Sequence, residues 1–286
     1  MLRRATTFLN HVCNHRRRRP PPPTRMDRPT QLTACYGAQF TDASVAASYH
    51  TRPPYPADVF NILARLCKGQ GGPILELGCG TGDLTHGLAH LAGRVEAVDP
   101  SAAMLAVAAQ RPGTDSPAIR WICRPAEDYE FGGPYALAVA AESFHWMEWD
   151  IVCRKLAPAP APGGFLAIVE RVPAGDMPRA SELAILIPRY STNQKFQPYD
   201  LISEITARGL FQEKRRETTT PVTFSQPVED HIESFHSRNA FSKQRMSEAA
   251  CRGFDGSLRE LLAAYCPEGI VKLETAASVV WGFPGV

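Results

Sequence analysis

The stretch Ile74–Thr85, ILELGCGTGDLT, decides the fold of this chain. An apolar run of strand length leads into a loop with glycine at every second position, namely Gly78, Gly80 and Gly82. Glycines between a strand and a helix allow a tight turn and let a ligand approach the backbone N–H groups closely. A turn that binds nothing is the alternative, but the acids Glu76 before the loop and Asp99 after it favour a ligand site.

The spacing of these glycines separates two classes of ligand. Dinucleotide-binding loops use G-x-G-x-x-G, in which the third glycine lets the helix N-terminus meet a pyrophosphate. Here the spacing is G-x-G-x-G, and Asp83 occupies the place of that third glycine. A carboxylate at this place repels a pyrophosphate and favours a cofactor with an adenosine but no phosphate. S-adenosylmethionine meets this requirement, since its sulfonium is cationic and its amino group and ribose both seek carboxylates.

Asp99 is the predicted ribose ligand. It ends the strand predicted over RVEAVD, where one carboxylate can accept hydrogen bonds from both ribose hydroxyls. A helix cap is the alternative role for an Asp before Pro. The glycine loop and Asp99 occur together, and this pairing favours the ribose role.

Predicted strands and helices alternate as far as Glu170. A helix is predicted over YPADVFNILARLC because Val59, Ile62 and Leu63 share one helical face. The strands predicted after it are PILEL, RVEAVD, AIRWICR, YALAVAA and GGFLAIVE, and helices separate most of them. This alternation predicts an α/β fold with a doubly wound, mostly parallel sheet.

The C-terminal half follows a looser pattern. Helical faces recur over Leu183–Tyr190 and Leu258–Tyr265, and KLETAASVVWGF is predicted to be a final strand. We expect a helical cap inserted in this half, followed by strands that close the sheet. The predicted division is an N-terminal extension over 1–39 and one domain over 40–286, with a cofactor-binding core at 40–170 and the cap and closing strands at 171–286.

Charge is distributed unevenly along the 286 residues. Residues 1–25 contain seven Arg and no acid, and the remainder holds 24 Lys and Arg against 29 Asp and Glu. A mildly acidic folded part disfavours nucleic acid as a partner, because phosphate binding needs surplus positive charge. The Arg-rich start is interpreted as a disordered or targeting extension, or as sequence upstream of a start at Met26.

Cysteine usage and hydropathy bear on the compartment. The eight cysteines include no CxxC pair, which favours free thiols in a reducing environment and disfavours a zinc ribbon. No apolar run approaches the roughly 18 residues of a membrane span, so no membrane partner is expected. A cytoplasmic location is predicted, with a mitochondrial location as the alternative if residues 1–25 are a presequence.

These motifs together resemble those of class I S-adenosylmethionine-dependent methyltransferases. LELGCGTG looks like their first motif, VEAVDPSAAML like their second, and RPAEDYEF like their adenine-contacting segment after the third strand. AAESFHWMEWD is similar to the end of their fourth strand, where cofactor and acceptor meet. The resemblance covers Tyr49–Glu170. YHTRPPYP and the pair His145–Trp146 further resemble a subgroup of small-molecule methyltransferases.

The resemblance implies S-adenosyl-L-methionine as the cofactor and assigns its contacts residue by residue. The methionine end would be held by Glu76, Gly78, Cys79, Gly80 and Gly82. The adenosine would be held by Asp99 at the ribose and by Met104, Ala126 and Glu127 at the adenine. Tyr49 and Arg52 would close over the cofactor carboxylate, with a solvated turn residue as the alternative for Arg52.

The implied reaction is in-line methyl transfer to a small-molecule acceptor, such as a carboxylate or a hydroxyl compound. The donor methyl group is already activated, so the enzyme mainly aligns the nucleophile and excludes water. A base is needed only for an acceptor that carries a proton, and His145 is the candidate base or acceptor contact. A His145 that only positions the acceptor is an equally favoured alternative. The sequence leaves the methylated atom and the oligomeric state open.

Two other functions stay open at this point. A non-catalytic cofactor-binding module would keep the same loop, and an NAD-dependent oxidoreductase is disfavoured by the carboxylate in that loop. No metal is expected: His86 and His90 have the i, i+4 spacing of a zinc helix, but the Glu of that motif is missing. The acids Glu142, Glu148 and Asp150 are interpreted as solvated loop residues rather than metal ligands.

Overall fold

The computed structural model describes residue 32 and residues 37–113, 116–175, 180–194 and 199–285. The Arg-rich segment 1–25 and the alternative start at Met26 lie outside these residues, so the hypotheses about them stay predictions. Within the described part, strands and helices follow the predicted alternation from Asp58 to Ala174. A loop instead of a helix joins the third and fourth strands.

A mixed sheet of eight strands forms the centre of the described part. The strands are β1 (Ile74–Leu77), β2 (Val95–Asp99), β3 (Ile119–Cys123), β4 (Leu137–Ala141), β5 (Leu166–Ala174), β6 (Phe211–Thr218), β7 (Val222–Pro227) and β8 (Ile270–Pro284). Their order is β3-β2-β1-β4-β5-β8-β6, and β7 pairs with β8 beyond this path. The strands from β3 to β5 in this order are parallel, while β8 runs antiparallel to β5, β6 and β7. This topology confirms the predicted doubly wound, mostly parallel α/β fold.

Helices cover both faces of the sheet. They are α1 (Ala43–Ser48), α2 (Asp58–Cys67), α3 (Thr85–Ala92), α4 (Ala102–Ala108), α5 (Trp149–Leu156), α6 (Ala180–Tyr190), α7 (Leu201–Ala207), α8 (Val228–His236) and α9 (Glu248–Ala263). On one face, α2 and α3 share a core with Ile74, and on the other, α5 and α7 share a core with Leu75. Strands buried on both faces are apolar at most positions, which explains the nearly continuous apolar runs of the sequence. None of these helices combines the length and the hydropathy that a bilayer crossing requires.

A cap built from two separate segments lies at the carboxyl ends of the parallel strands. The first segment contains α6. The second contains α8 and α9 together with β7, the strand of the described sheet that pairs only with β8. Between the two segments, α7 packs on the sheet and β6 is one of its strands. The cap has its own core, in which Phe235, Phe241 and Phe254 pack with ring centroids 4.7, 5.4 and 6.1 Å apart. The predicted insertion is therefore interrupted by elements of the sheet.

The strand β8 links the cap to the sheet as one continuous element of 15 residues. Its first part, Ile270–Thr275, pairs with β7 of the cap. Its second part lies between β5 and β6 and contributes Ala277, Val279 and Trp281 to a core of the sheet. Cap and sheet are therefore joined through the backbone of a single strand.

The segment Gly37–Arg52, which we call the N-terminal strap, ties the part of the molecule that contains β1 to β4 to the cap. Oε1 of Gln39 accepts a hydrogen bond from the N–H of Ala240 at 3.0 Å. Asp42 forms an ion pair with Arg245 in which Oδ2 and Nε are 2.7 Å apart. Within the strap, α1 also packs against α4. The strap therefore contacts both halves of the molecule.

Candidate functional site

A cavity, which we call the loop cavity, opens at the carboxyl ends of β1, β2 and β4. The strand order extends from β1 to β3 on one side and from β4 to β5 on the other, so this is the switch point where open α/β sheets bind ligands. The sequence-predicted residues in its wall are Tyr49, Gly78, Gly80, Asp99, Met104, Ala126 and Glu127. The fold thus brings the strap and the loops after β1, β2 and β3 to one place.

The glycine loop forms one wall of the loop cavity. Gly78 and Gly80 have positive φ angles of 72° and 55°, a region that residues with a side chain rarely adopt. A Cβ atom on Gly78 would lie 2.4 Å from Cβ of Ser143, so a larger residue does not fit there. A Cβ atom on Gly80 would meet the ring of Tyr49 at 3.8 Å, on the cavity side. Packing therefore requires glycine at Gly78, and access to a ligand favours it at Gly80.

Asp99 lies in the wall of the loop cavity with 7% of its surface exposed. Its Oδ2 accepts a hydrogen bond from the N–H of Gly80 at 2.8 Å, and its Oδ1 accepts from the N–H of Ser101 at 2.8 Å. Burial raises the pKa of this carboxyl to about 6, and the two N–H donors oppose that rise. Ser101 rather than Asp99 caps α4, because its Oγ accepts from the N–H of Met104. The carboxylate is fixed in orientation and keeps lone pairs for a ligand.

Glu76 lies beneath the glycine loop and does not line the loop cavity. It is 2% exposed, and its Oε2 accepts a hydrogen bond from Oγ1 of Thr85 at 2.7 Å. Burial raises the pKa of Glu76 to about 8, and the carboxylates of Asp83 and Asp99 act in the same direction. A cationic group nearby would favour the ionised form of Glu76. Its contact with the methionine end of the cofactor stays a prediction.

Three further predicted contacts also lie outside the wall of the loop cavity. Cys79 is buried in the loop, and Gly82 packs against an aromatic ring. Arg52 donates to Oη of Tyr49 at 3.1 Å and to both Oγ and the carbonyl oxygen of Ser237 at 2.9 Å. Its guanidinium therefore fastens the N-terminal strap to the cap. The contact of Arg52 with the cofactor carboxylate stays a prediction.

Asp83, the residue that departs from the dinucleotide pattern, is balanced by positive charge. Its Oδ1 lies 2.6 Å from Nη2 of Arg111, and its Oδ2 lies 3.4 Å from Nη2 of Arg171. Arg171 stacks on Tyr55 with 3.7 Å between Cζ and the ring centroid. The backbone N–H of Arg171 donates to Oε1 of Glu142 at 2.7 Å. The sequence predicts that the carboxylate of Asp83 repels a pyrophosphate. Arg111 and Arg171 offset its charge and therefore weaken that repulsion, and no local motif points to either arginine.

Glu142 after β4 and His86 of α3 make contacts within the protein. In the described part of the chain, no group of three or more His, Cys, Asp or Glu side chains could hold a metal ion. The backbone N–H of Glu148 donates to Oε1 of Glu127 at 2.6 Å, so one oxygen of the predicted adenine contact is already engaged. Glu142 has a positive φ of 53°, which strains the backbone just after β4. His86 packs against Trp121 with ring centroids 6.3 Å apart.

A second cavity of about 390 Å³, which we call the cap cavity, lies between the end of β4 and the cap. Trp146 lines both the cap cavity and the loop cavity, so the two spaces meet at one side chain. Much of the wall of the cap cavity is apolar and includes Ile187, Phe235 and Phe241. A largely apolar cavity with a few polar groups is typical of a small-molecule site.

The polar groups of the cap cavity are incompletely satisfied within the described residues. Nε1 of Trp146 and Oδ1 of Asn193 are buried there without a hydrogen-bond partner. Arg238 lines the cavity with its Cζ 4.2 Å from the ring centroid of Phe235. Burial lowers the pKa of Arg238 to about 10, with a contribution from the charge of Arg52. Buried groups left unsatisfied in a cavity wall are available to a ligand.

His145 follows β4 in the short 3-10 turn Phe144–Trp146 and lines the cap cavity. Its ring centroid lies 4.7 Å from that of Trp146. The sequence predicts that His145 is a base or an acceptor contact, and the structure places it in the wall of the cap cavity beside Trp146. The role of His145 stays a prediction. Sequence reasoning missed Asn193 and Arg238, because both lie in cap segments that carry no motif.

Residues 74–164 match the family model of a methyltransferase domain. A probable S-adenosylmethionine-dependent methyltransferase of Saccharomyces cerevisiae, CRG1, is 32% identical to this chain over 101 residues. The match covers 34% of this chain and 35% of the yeast protein, so the chain spans about a third of the length of this relative. The residues matched by the family model contain the glycine loop and the strands β1 to β4.

One solved structure shares the fold over most of the chain, and a second aligns less well. A putative type II methyltransferase from Anaeromyxobacter dehalogenans aligns with a TM-score of 0.54 and 23% identity, over 82% of this chain and 99% of that one. A SAM-dependent methyltransferase from Geobacter sulfurreducens, solved with S-adenosyl-L-homocysteine, aligns with a TM-score of 0.45 and 17% identity, over 81% and 92% of the two chains. The family match identifies a methyltransferase domain over residues 74–164, and the α/β fold agrees with the predicted class I methyltransferase-like architecture.

Proposed function

We propose that this protein transfers the methyl group of S-adenosylmethionine to a small-molecule acceptor bound in the cap cavity. The observation that carries the proposal is the meeting of the loop cavity and the cap cavity at Trp146. The predicted cofactor contacts line the first cavity, and the second adjoins it at the carboxyl end of β4. A donor in one cavity and an acceptor in the other are thereby brought to a common boundary.

The wall of the loop cavity suits an adenosine. Asp99 offers the ribose a carboxylate that two backbone N–H groups already orient. Met104 and Ala126 are buried in the same wall and supply apolar surface for a purine ring. The loop around Gly80 leaves space for the part of the ligand that lies closest to the backbone.

The cap cavity suits a molecule of metabolite size. Its volume of about 390 Å³ lies in the range typical of small-molecule sites. The guanidinium of Arg238 and the amide of Asn193 supply polar contacts in a wall that is otherwise largely apolar. A carboxylate or a hydroxyl compound with an apolar body is therefore the proposed acceptor.

The chemistry divides between cofactor and protein. When bound, S-adenosylmethionine supplies a methyl group that its sulfonium already activates. The protein aligns the acceptor at the boundary of the cavities and excludes water from it. His145 lines the acceptor side, where it can accept the proton of a hydroxyl group, whereas a carboxylate acceptor needs no base. A His145→Ala variant therefore distinguishes the two kinds of acceptor by a large or a small loss of turnover.

Isothermal titration calorimetry with S-adenosylmethionine and S-adenosylhomocysteine tests the cofactor half of the proposal. We expect micromolar dissociation constants, about −8 kcal/mol, for the wild-type protein. Asp99→Ala should weaken binding at least about tenfold, because the ribose loses its carboxylate. The matched control is Asp200→Ala, which removes a carboxylate that caps α7 and should leave cofactor affinity unchanged. A folded wild-type protein that binds NADH but neither cofactor would refute the proposal.

Labelled methyl donor tests the acceptor half. The wild-type protein is incubated with S-adenosylmethionine that carries a tritiated methyl group and with pools of small carboxylic acids and hydroxyl compounds. We expect label in a small molecule, identified by mass spectrometry, and about tenfold less transfer by Asp99→Ala at a donor concentration below the dissociation constant. Label found only in added protein or RNA would overturn the small-molecule part of the proposal.

A further inference from the structure

We propose that Arg238 is the recognition residue of the cap cavity and that it selects acceptors carrying a carboxylate. This inference rests on the proposed function and deepens it by naming the class of acceptor. It concerns binding only, so the carboxylate held by Arg238 is either the methylated group or a separate anchor of the acceptor.

The charge of the cap cavity points to an anion. Among the described residues that line it, Arg238 is the only Arg, Lys, Asp or Glu. Ser191, Asn193 and Gln194 add neutral polar groups, and His145 is the other titratable base in the wall. A positive charge in a largely apolar wall without an acid opposite it favours the binding of an anionic ligand.

The side chains of two nearby arginines are paired with polar groups of the protein, whereas that of Arg238 has no such partner in the described part of the chain. Arg52 donates to Ser237, and Arg245 forms an ion pair with Asp42. Within the described residues, the guanidinium of Arg238 contacts the ring of Phe235 and has neither a hydrogen bond nor an ion pair. Burial and the charge of Arg52 lower the pKa of Arg238 to about 10, and the carboxylate of Glu142 offsets this only in part. A bound carboxylate would act in the same direction as Glu142.

The backbone of Arg238 is held in place without a ligand. Its N–H donates to the carbonyl oxygen of Phe235 at 2.9 Å, in the turn that ends α8. The preceding residue, Ser237, is held by the guanidinium of Arg52 through both its side chain and its carbonyl group. The planar fork of a guanidinium matches the two oxygens of a carboxylate, so it gives orientation as well as affinity.

Arg238 also borders a third cavity, of about 280 Å³, on the side of the strap. That cavity contains Arg52 and Arg171, but it contains the acids Glu142 and Glu274 as well. These two carboxylates offset part of the charge of the three arginines there and place acids opposite an anionic ligand, which weakens its binding. The cap cavity has no acid among its described lining residues, so it is the side on which Arg238 meets the acceptor.

Matched pairs of acids and amides test the proposal. The protein loaded with S-adenosylhomocysteine is titrated with benzoate and benzamide, phenylacetate and phenylacetamide, and hexanoate and hexanamide. We expect at least one acid to bind about tenfold more tightly than its amide, because a charged hydrogen-bonded pair forms only with the acid. Arg238→Gln should remove this preference, and Arg238→Lys should retain part of it. The control is Arg215→Gln, an exposed arginine of β6, which should retain all of it.

Three results would overturn the proposal. The wild-type protein binds none of the acids, or it binds acids and amides equally, or the preference for acids survives in Arg238→Gln. A loss of S-adenosylhomocysteine affinity in Arg238→Gln would also overturn it, since Arg238 would then hold the carboxylate of the cofactor. Failure of the wild-type protein to bind S-adenosylhomocysteine is seen before any acid is added, and it refutes the proposed function instead.

Discussion

The loop cavity and the cap cavity adjoin each other but are built in different ways. In the loop cavity, a backbone loop forms the wall, and the carboxylate of Asp99 is already oriented by two backbone N–H groups. In the cap cavity, side chains from separate elements form the wall, and Trp146, Asn193 and Arg238 keep groups without partners in the described residues. The first cavity is therefore preorganised, and the second leaves hydrogen bonds for its ligand to complete.

This difference suits two ligands with different demands. A preorganised backbone site binds one constant ligand with little cost of reorganisation. A site with unsatisfied polar groups rejects ligands that fail to pair with them, because the groups then stay buried and unpaired. We infer that the loop cavity provides affinity for the common donor and that the cap cavity provides selectivity for the acceptor.

Gly78→Ala should distort the loop cavity and cause the largest loss of ligand affinity. The new Cβ atom would lie 2.4 Å from Cβ of Ser143 at a positive φ, so the loop must move. Strain and overpacking each cost about 1–3 kcal/mol, so we expect the affinity for S-adenosylhomocysteine to fall about a hundredfold. Calorimetry measures this loss.

The control for that variant is Gly256→Ala in α9, where a Cβ atom meets nothing within 4 Å. We expect unchanged affinity and about 0.5–1 kcal/mol of added stability, since Ala favours a helix interior over Gly. A Gly78→Ala variant that binds S-adenosylhomocysteine normally would contradict the assignment of the loop cavity to the cofactor.

Lowering the pH should weaken the binding of S-adenosylhomocysteine in the loop cavity, because Asp99 becomes protonated. The ionised carboxylate is the proposed ribose acceptor, and its raised pKa of about 6 brings protonation into an accessible range. Because binding favours the ionised form, affinity for S-adenosylhomocysteine should fall by up to about tenfold per pH unit well below pH 6. A change near pH 8 would belong to Glu76, whose pKa is raised to about 8. Calorimetry in a pH series measures the profile. Asp99→Asn should give a lower affinity with no such step, and a step that persists in this variant would assign the effect to another group.

Trp146→Phe should separate the two cavities. It keeps an aromatic ring at their boundary but removes the unpartnered Nε1 donor. We expect S-adenosylhomocysteine affinity within about twofold of wild type and kcat/KM for the acceptor about five- to tenfold lower, since one hydrogen bond contributes about 1 kcal/mol. Steady-state kinetics with labelled S-adenosylmethionine and the acceptor that receives the label measure this.

The matched control is Trp149→Phe, because Nε1 of Trp149 already donates to the carbonyl oxygen of Phe144 at 3.0 Å. That variant should lose about 1 kcal/mol of stability while the kinetics of the folded protein stay unchanged. Equal kinetic losses in the two variants would mean that Trp146 acts through packing alone.

Asp42→Asn in the N-terminal strap should give the smallest effect and act on both cavities alike. It weakens the pair with Arg245, which is partly exposed and therefore contributes about 1 kcal/mol or less. We expect a small drop in melting temperature and equal, less than about twofold, losses of donor and acceptor affinity. Glu229→Gln, which weakens an exposed pair with Arg259, is the control and should leave both affinities unchanged. A loss confined to one cavity would show that the strap serves that cavity alone.

The strands that flank the glycine loop could be predicted because burial dictates their composition. β1 and β2 are buried at every position, so each reads as an apolar run that only a glutamate or an aspartate interrupts. β6, with the sequence FQEKRRET, exposes most of its side chains, and its charges predict a solvated face instead of a strand. Its strand conformation comes from pairing with β8, which lies far away in the sequence.

The candidate site divides along the same line. Gly78, Gly80 and Asp99 could be predicted because the backbone itself needs those residue types at those positions. The motif around Arg52 predicts a cofactor contact. Its guanidinium instead donates a hydrogen bond to Ser237, which lies 185 positions later in the sequence. Arg238 has no periodic or motif signal, because its position depends on how the cap folds over β4. Tertiary contacts of this kind leave no local pattern in a single sequence.

The continuous strand β8 also has a consequence for biosynthesis. A chain emerging from the ribosome has made every other strand of the described sheet before it reaches Ile270–Pro284. Until then β5 and β6 have no common neighbour, and β7 has no partner in that sheet. Open strand edges of this kind favour aggregation and the binding of chaperones. We therefore expect β7 to become anchored to the sheet only after β8 has been made, whereas the strands around the loop cavity can pair before it.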